Sequence, residues 1–162
     1  MRTPFIIPLV LLSLVSFPSW GLSMNDLVKR EGLYYQKFTD VPFTGEIDEG
    51  WERGNFKKGR KEGKWVSYFE NGQLFYKGDL KNGMKEGKWV FYFTNGQLAR
   101  KGEYKNGVEE GMWVFYQSNG QVLHKGNFKN GWEEGTWVYF NFDGSEDTSR
   151  SGVYRDGEKV SD

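Results

Sequence analysis

The sequence predicts an all-β fold, an elongated antiparallel β-meander or solenoid built from hairpin repeats of about 24 residues. Three observations carry this. Residues 54–77, 78–101, 102–125 and 126–151 align with one another, the last being two residues longer, and a half repeat closes the chain at 152–162. Eighteen of the 22 glycines fall on four positions of that repeat, those of Gly54, Gly59, Gly63 and Gly72, while Trp65, Trp89, Trp113 and Trp137 occupy a fifth. Aromatics make up 18% of the 162 residues, too rich in packing groups for a disordered chain. Self-similarity at a fixed period marks an array whose units bury their apolar faces against one another.

Each repeat carries its own folding instructions. Asn71-Gly72, Asn95-Gly96, Asn119-Gly120 and Asp143-Gly144 read as tight type I′ turns, which need φ > 0 at both central residues. A second turn set lies half a repeat away, at Asn82-Gly83, Asn106-Gly107, Asn130-Gly131 and Asp156-Gly157. Strands of about six or seven residues are left between them. Runs such as Trp65-Val66-Ser67-Tyr68-Phe69 favour a pleated strand. Alternation places Trp65 and Ser67 on one face, and Val66 and Tyr68 on the other. Gly78, Gly102 and Gly126 recur inside strands, where a glycine makes room for a ring from the neighbouring strand. At about 4.8 Å per strand, four repeats would extend roughly 40 Å as a curved or twisted ribbon.

The ends differ from the middle. Residues 1–21 pair Arg2 with an apolar run from Phe5 to Phe17 and then small residues, the order of a cleaved secretory signal. The run is short of the roughly 20 residues a membrane span needs. A secreted or periplasmic protein is therefore expected. Residues 22–53 read as a degenerate N-terminal cap repeat, with Gly32 and Gly45 standing where Gly63 and Gly78 do.

Charge sums to zero, 22 Lys+Arg against 22 Asp+Glu, which argues against a nucleic-acid binder. The layout is polar nonetheless. Residues 22–53 carry −3, the four repeats +4, +3, −1 and −3, and the tail −1. Lys57, Lys58, Arg60, Lys61, Lys81 and Lys85 form a candidate basic patch, and Glu109, Glu110, Glu133 and Glu134 take over further along.

Zero Cys excludes disulfides, thiolate metal sites and a cysteine nucleophile. The one histidine, His124, shares its repeat position with Tyr76 and Arg100, which reads as a solvent-facing strand slot. Glu62, Glu86, Glu110 and Glu134 recur once per repeat, about 10 Å apart, too far for a shared metal or an acid–base pair, and read as turn-stabilising carboxylates. No metal, cofactor or catalytic residue is expected, and no enzyme. The candidate binding surface is the aromatic ladder Trp65, Trp89, Trp113 and Trp137, with Trp132 as an exposed anchor.

The run Gly63-Lys64-Trp65-Val66-Ser67-Tyr68-Phe69-Glu70-Asn71-Gly72 resembles the MORN repeat in its bacterial variant. The resemblance covers residues 54–157 well and 31–53 loosely. Many bacterial chains of this type are named YwqK-like antitoxin components, which implies a binding protein that neutralises a partner. Eukaryotic MORN arrays resemble membrane-associated or scaffolding modules that dimerise. The Trp-x-x-Tyr-x-x-Asn-Gly hairpin is also similar to shorter cell-wall-binding repeats that seat ligands between aromatic rings. The expectation is an exported, non-catalytic binding or scaffolding protein with a protein partner. The alternative is a cell-envelope glycan or anionic lipid surface. Homo-oligomers fit either reading.

Overall fold

The computed structural model of the protein describes residues 21–162, so the export signal read at 1–21 lies outside the described residues except for Gly21. Strands β1 (Leu27–Arg30) and β2 (Leu33–Gln36) pair by themselves as a two-stranded sheet. The rest is one antiparallel sheet of eleven strands: β3 (Gly45–Ile47), β4 (Glu52–Lys57), β5 (Arg60–Tyr68), β6 (Leu74–Lys81), β7 (Met84–Tyr92), β8 (Leu98–Lys105), β9 (Val108–Tyr116), β10 (Val122–Lys129), β11 (Trp132–Tyr139), β12 (Gly152–Arg155) and β13 (Glu158–Ser161). Each strand pairs only with its neighbours in sequence, so the sheet is the predicted meander.

The two turn sets are not alike. Asn82 and Gly83 have φ of 53° and 83°, and the matching pairs at 106–107, 130–131 and 156–157 do the same, giving type I′ geometry. The other set departs from the expectation. Gly72 has φ 82°, but Asn71 is not in the left-handed region, and neither are Asn95, Asn119 or Asp143. The Gly72 amide donates to the Phe69 carbonyl at 2.9 Å, a type I turn closed by a left-handed glycine. The reason lies in the asparagine side chain. Asn71 Oδ1 accepts from the Gln73 amide, and Asn71 Nδ2 donates to the Thr94 carbonyl one repeat on, at 2.9 Å. Asn95 repeats both bonds, to Gln97 and to the Ser118 carbonyl. Asparagine is selected here for its side-chain bonds, and only glycine for its φ.

The type I′ turns are laddered as well. The Gly83 amide donates to the Lys61 carbonyl and the Gly107 amide to the Lys85 carbonyl, each at 2.8 Å. The Asn82, Asn106 and Asn130 amides donate to the carboxylates of Glu62, Glu86 and Glu110, and Asp156 donates to Glu134. The recurring glutamates therefore hold the next repeat's turn.

Strands β5 to β11 run eight or nine residues, longer than expected, because each takes part in a bulged pairing. Pairing jumps from Gly54 opposite Trp65 to Asn55 opposite Glu62, leaving Gly63 and Lys64 unopposed. Gly63 has φ 71° and open space around its Cα, so a left-handed backbone alone demands glycine there. The same bulge recurs at Gly87, Gly111 and Gly135.

At each bulge an indole is buried. Trp65, Trp89, Trp113 and Trp137 are at most 2% exposed. Their Nε1 atoms donate to the carbonyls of Asn55, Asp79, Glu103 and Asn127 at 3.0–3.2 Å. Each ring lies flat over a glycine of the preceding strand. A Cβ on Gly78, Gly102 or Gly126 would stand 2.1–2.3 Å from the ring of Trp89, Trp113 or Trp137. This is the close approach expected of those strand glycines, and it is how one sheet buries a core without a second layer. Phe56, Leu80, Tyr104 and Phe128 contribute from one side of the bulge, and Phe91 and Phe115 from the other.

At the N-terminal end, Leu27, Phe43 and Ile47 are buried with Phe56, and the Tyr34 ring sits 5.0 Å from the Phe56 ring. Gly32 does not match Gly63. With Glu31 at φ 49° and Gly32 at 79° it forms a type I′ turn, so its counterpart is Gly59.

Candidate functional site

Because alternation puts residue i+2 beside i, the residues two beyond each tryptophan share its face. These are Ser67, Phe91, Phe115 and Tyr139. Across the pairing, Tyr76 stands opposite Phe91, Arg100 opposite Phe115, and His124 opposite Tyr139. Of these, Tyr76, Phe91, Arg100, Phe115 and His124 line a trough of about 670 Å³ along the central repeats, walled by aromatic rings and crossed by Lys85, Arg100 and His124. Phe75, 40% exposed, stands at its rim.

Two rows of polar side chains run along this face of the sheet, and their central members Tyr76, Lys85, Arg100 and His124 line the trough. One row reads Lys61, Lys85, Glu109, Glu133, and the other Glu52, Tyr76, Arg100, His124. At the N-terminal end the rows neutralise each other. Lys61 pairs with Glu52, and the Tyr76 hydroxyl donates to the same carboxylate at 2.9 Å. Burial, with Glu52 adding to it, raises the Tyr76 hydroxyl to about 12. At the C-terminal end, the Tyr139 hydroxyl donates to Glu133 at 2.7 Å, while Arg150 pairs with Asp147 and lies over the Tyr139 ring. Glu109 stands beside Tyr104, whose hydroxyl is pushed up by burial and by that carboxylate.

The middle is different. Lys85 Nζ lies 4.6 Å from the Tyr104 ring centre, 4.9 Å from Phe91 and 5.0 Å from Trp89. Arg100 Cζ lies 4.3 Å from the Phe91 ring and 5.9 Å from Trp113. Among the described residues neither cation is paired with a carboxylate. Lys85 is held below the usual lysine range, first by burial and then by Arg100, with Glu109 opposing.

Several sequence-derived site residues are corrected by this arrangement. Trp65, Trp89, Trp113 and Trp137 are the floor of the fold rather than a binding surface, because the bulge closes each hairpin over its indole. Trp132 is 61% exposed, but it lies against the type I′ turn at Gly157, apart from the trough. The basic patch divides. Lys57, Lys58, Arg60 and Lys81 are exposed at or beside type I′ turns, whereas Lys61 and Lys85 turn in over the aromatic floor.

His124 is the clearest departure. It is half-buried, stacked on Phe115 at 4.2 Å and on Tyr139 at 5.0 Å, and not a solvent-facing position. Burial, and secondarily Arg150, lowers its pKa from 6.5 to about 4, so it is neutral at neutral pH. The unfolded chain then binds a proton that the folded chain refuses. Stability contributed by the neutral ring is present above pH 6.5 and is lost as pH falls towards 4. In thermal melts at pH 7, 5.5 and 4.5, His124→Phe is expected to lose less midpoint than the parent over that window. Parallel losses would show that His124 does not set it.

The trough residues missed from sequence are Phe91, Phe115, Tyr76 and Arg100. The available signal was their spacing of two from tryptophan, or their pairing opposite those positions. The opposite face is shallower. It holds Val66, Val90 and Val114, with exposed Lys77 and Lys101, in hollows of about 300 Å³ or less.

This sheet of bulged, tryptophan-floored hairpins is a β-hairpin repeat array. The MORN repeat variant matches residues 61–82, 85–106 and 109–130, three consecutive repeats that frame the trough. No match to a curated protein extends this.

Proposed function

We propose that the chain is an exported, non-catalytic binding protein that holds a segment of a partner protein along the aromatic trough. The observation that carries this is the trough itself, with aromatic walls and polar groups at its centre, in the size range of ligand sites. MORN repeats are commonly protein- or membrane-binding modules, which supports the reading. So does the use of the recurring glutamates as acceptors of turn amides, a structural role. Export rests on the residue order of 1–21. Neutralising a toxic partner, as the antitoxin resemblance implies, is the finer form of the same reading.

The test is a crosslinking pull-down from envelope extracts with three proteins: the parent, Phe75→Ser at the trough rim, and Lys77→Ser on the opposite face. A specific partner retained by the parent and by Lys77→Ser, but lost from Phe75→Ser, is expected, with none recovered from cytosol. Equal retention by all three would overturn the assignment to the trough.

A further inference from the structure

The trough contains one electrostatic imbalance, and it lies at its centre. Both ends compensate their charges with a carboxylate, Glu52 for Lys61 and Asp147 for Arg150. Lys85 and Arg100 are ion-paired with no carboxylate among the described residues, and Glu109, which acts on Lys85 from farther off, sets one negative charge against two; both cations are half-buried against rings. Two like charges brought together in a partly desolvated trough are costly unless an anion joins them. Rings under both cations hold them through cation–π contacts without satisfying their N–H donors. Arg100 stacks on Phe91, which leaves the guanidinium edge free for a planar acceptor.

We infer that Lys85 and Arg100 form a carboxylate-binding site, which takes an acidic side chain flanked by apolar or aromatic residues in the partner's chain. The inference deepens the reading of the trough given above and rests on it. The carboxylate sits between ammonium and guanidinium, bonded to both, and the flanking apolar groups cover the half-buried Phe115 and the exposed Phe75 ring at the rim. Planar bidentate pairing favours a carboxylate at this site, and the surrounding rings favour an aromatic neighbour for it.

The indole rings of Trp89 and Trp113 lie within 5.0 and 5.9 Å of the two cations, and their N–H signals report on them in proton–nitrogen spectra of the full chain. N-acetylphenylalanine, its amide, and inorganic phosphate are the probes. The carboxylate is expected to shift both indole signals saturably, with the amide and phosphate each weaker by about tenfold or more. Lys85→Met and Arg100→Gln should each weaken the carboxylate by about tenfold, whereas Lys101→Gln on the opposite face should not. Equal binding of the amide, tighter binding of phosphate, or indifference to both substitutions would overturn the inference. The amide comparison needs no variant and stands whether or not the substituted chains fold. If the envelope partner is lost from Phe75→Ser but kept by Lys85→Met and Arg100→Gln, the carboxylate site fails while the trough survives as the binding surface.

Discussion

Trp113→Ala is expected to destabilise the protein by about 3–5 kcal/mol, the usual cost of emptying a buried large aromatic site. The indole is fully buried. It meets the Tyr104 ring edge-on at 5.1 Å, stacks on Phe115 at 5.8 Å, and meets Phe128 at 6.1 Å. Its loss also strips the Glu103 carbonyl of the bond it accepts from Nε1. In a linear array each repeat is supported only by its neighbours, so a defect in the third full repeat weakens its coupling to both sides. A natural domain has only about 5–15 kcal/mol in total, so the variant should sit near the limit of folding. Urea unfolding followed by circular dichroism measures the loss. Trp132→Ala, at an exposed ring, is the control and should fall within about 0.5 kcal/mol of the parent. Similar losses for the two tryptophans would mean that Trp113 is not a keystone of the core.

Gly102→Val is the second large effect, and it works through the same contact from the other side. A Cβ there would stand 2.1 Å from Trp113 Cδ2 and 2.2 Å from Cε2. The ring cannot retreat, since Tyr104 and Phe128 flank it. Overpacking of this kind costs about 1–3 kcal/mol and sometimes more. The decisive observation is the double variant. Removing the ring opens the space that valine needs, so the two losses should fall short of additive by about 0.5–3 kcal/mol. Strict additivity would show that Gly102 is required for some reason other than the indole above it.

The fold was readable because the repeat states it four times. Gly78, Gly102 and Gly126 inside strands, and tryptophan at one spacing, could be read directly as glycine making room for a ring. Three features were hidden. Asn71 and Asn82 look identical in a dipeptide, and only the cross-repeat bond from Asn71 to Thr94 distinguishes their turns. The bulge at Gly63 resembles any other glycine until its pairing partner is known. Because of that bulge, each hairpin closes over its tryptophan, which turns an apparently open aromatic ladder into a core and leaves the trough to be lined two residues on, by buried Phe91 and half-buried Phe115. Periodicity also averages over repeats. Position by position, Tyr76, Arg100 and His124 look like a tolerant surface slot. In three dimensions the differences between them define the site, because only the central level combines two unpaired cations.

Placement of the partner along the trough is the central claim, and a photoreactive residue tests it most directly. Phe75 and Lys77 are two residues apart on β6, but the pairing with β5 slips at Phe75, so that Phe75 stands at the rim of the trough beside Tyr76 while Lys77 lies on the opposite face. Benzoylphenylalanine at position 75 is expected to capture the envelope partner on irradiation, and the same group at position 77 to capture none. Capture from position 77 alone, or equally from both, would contradict the account.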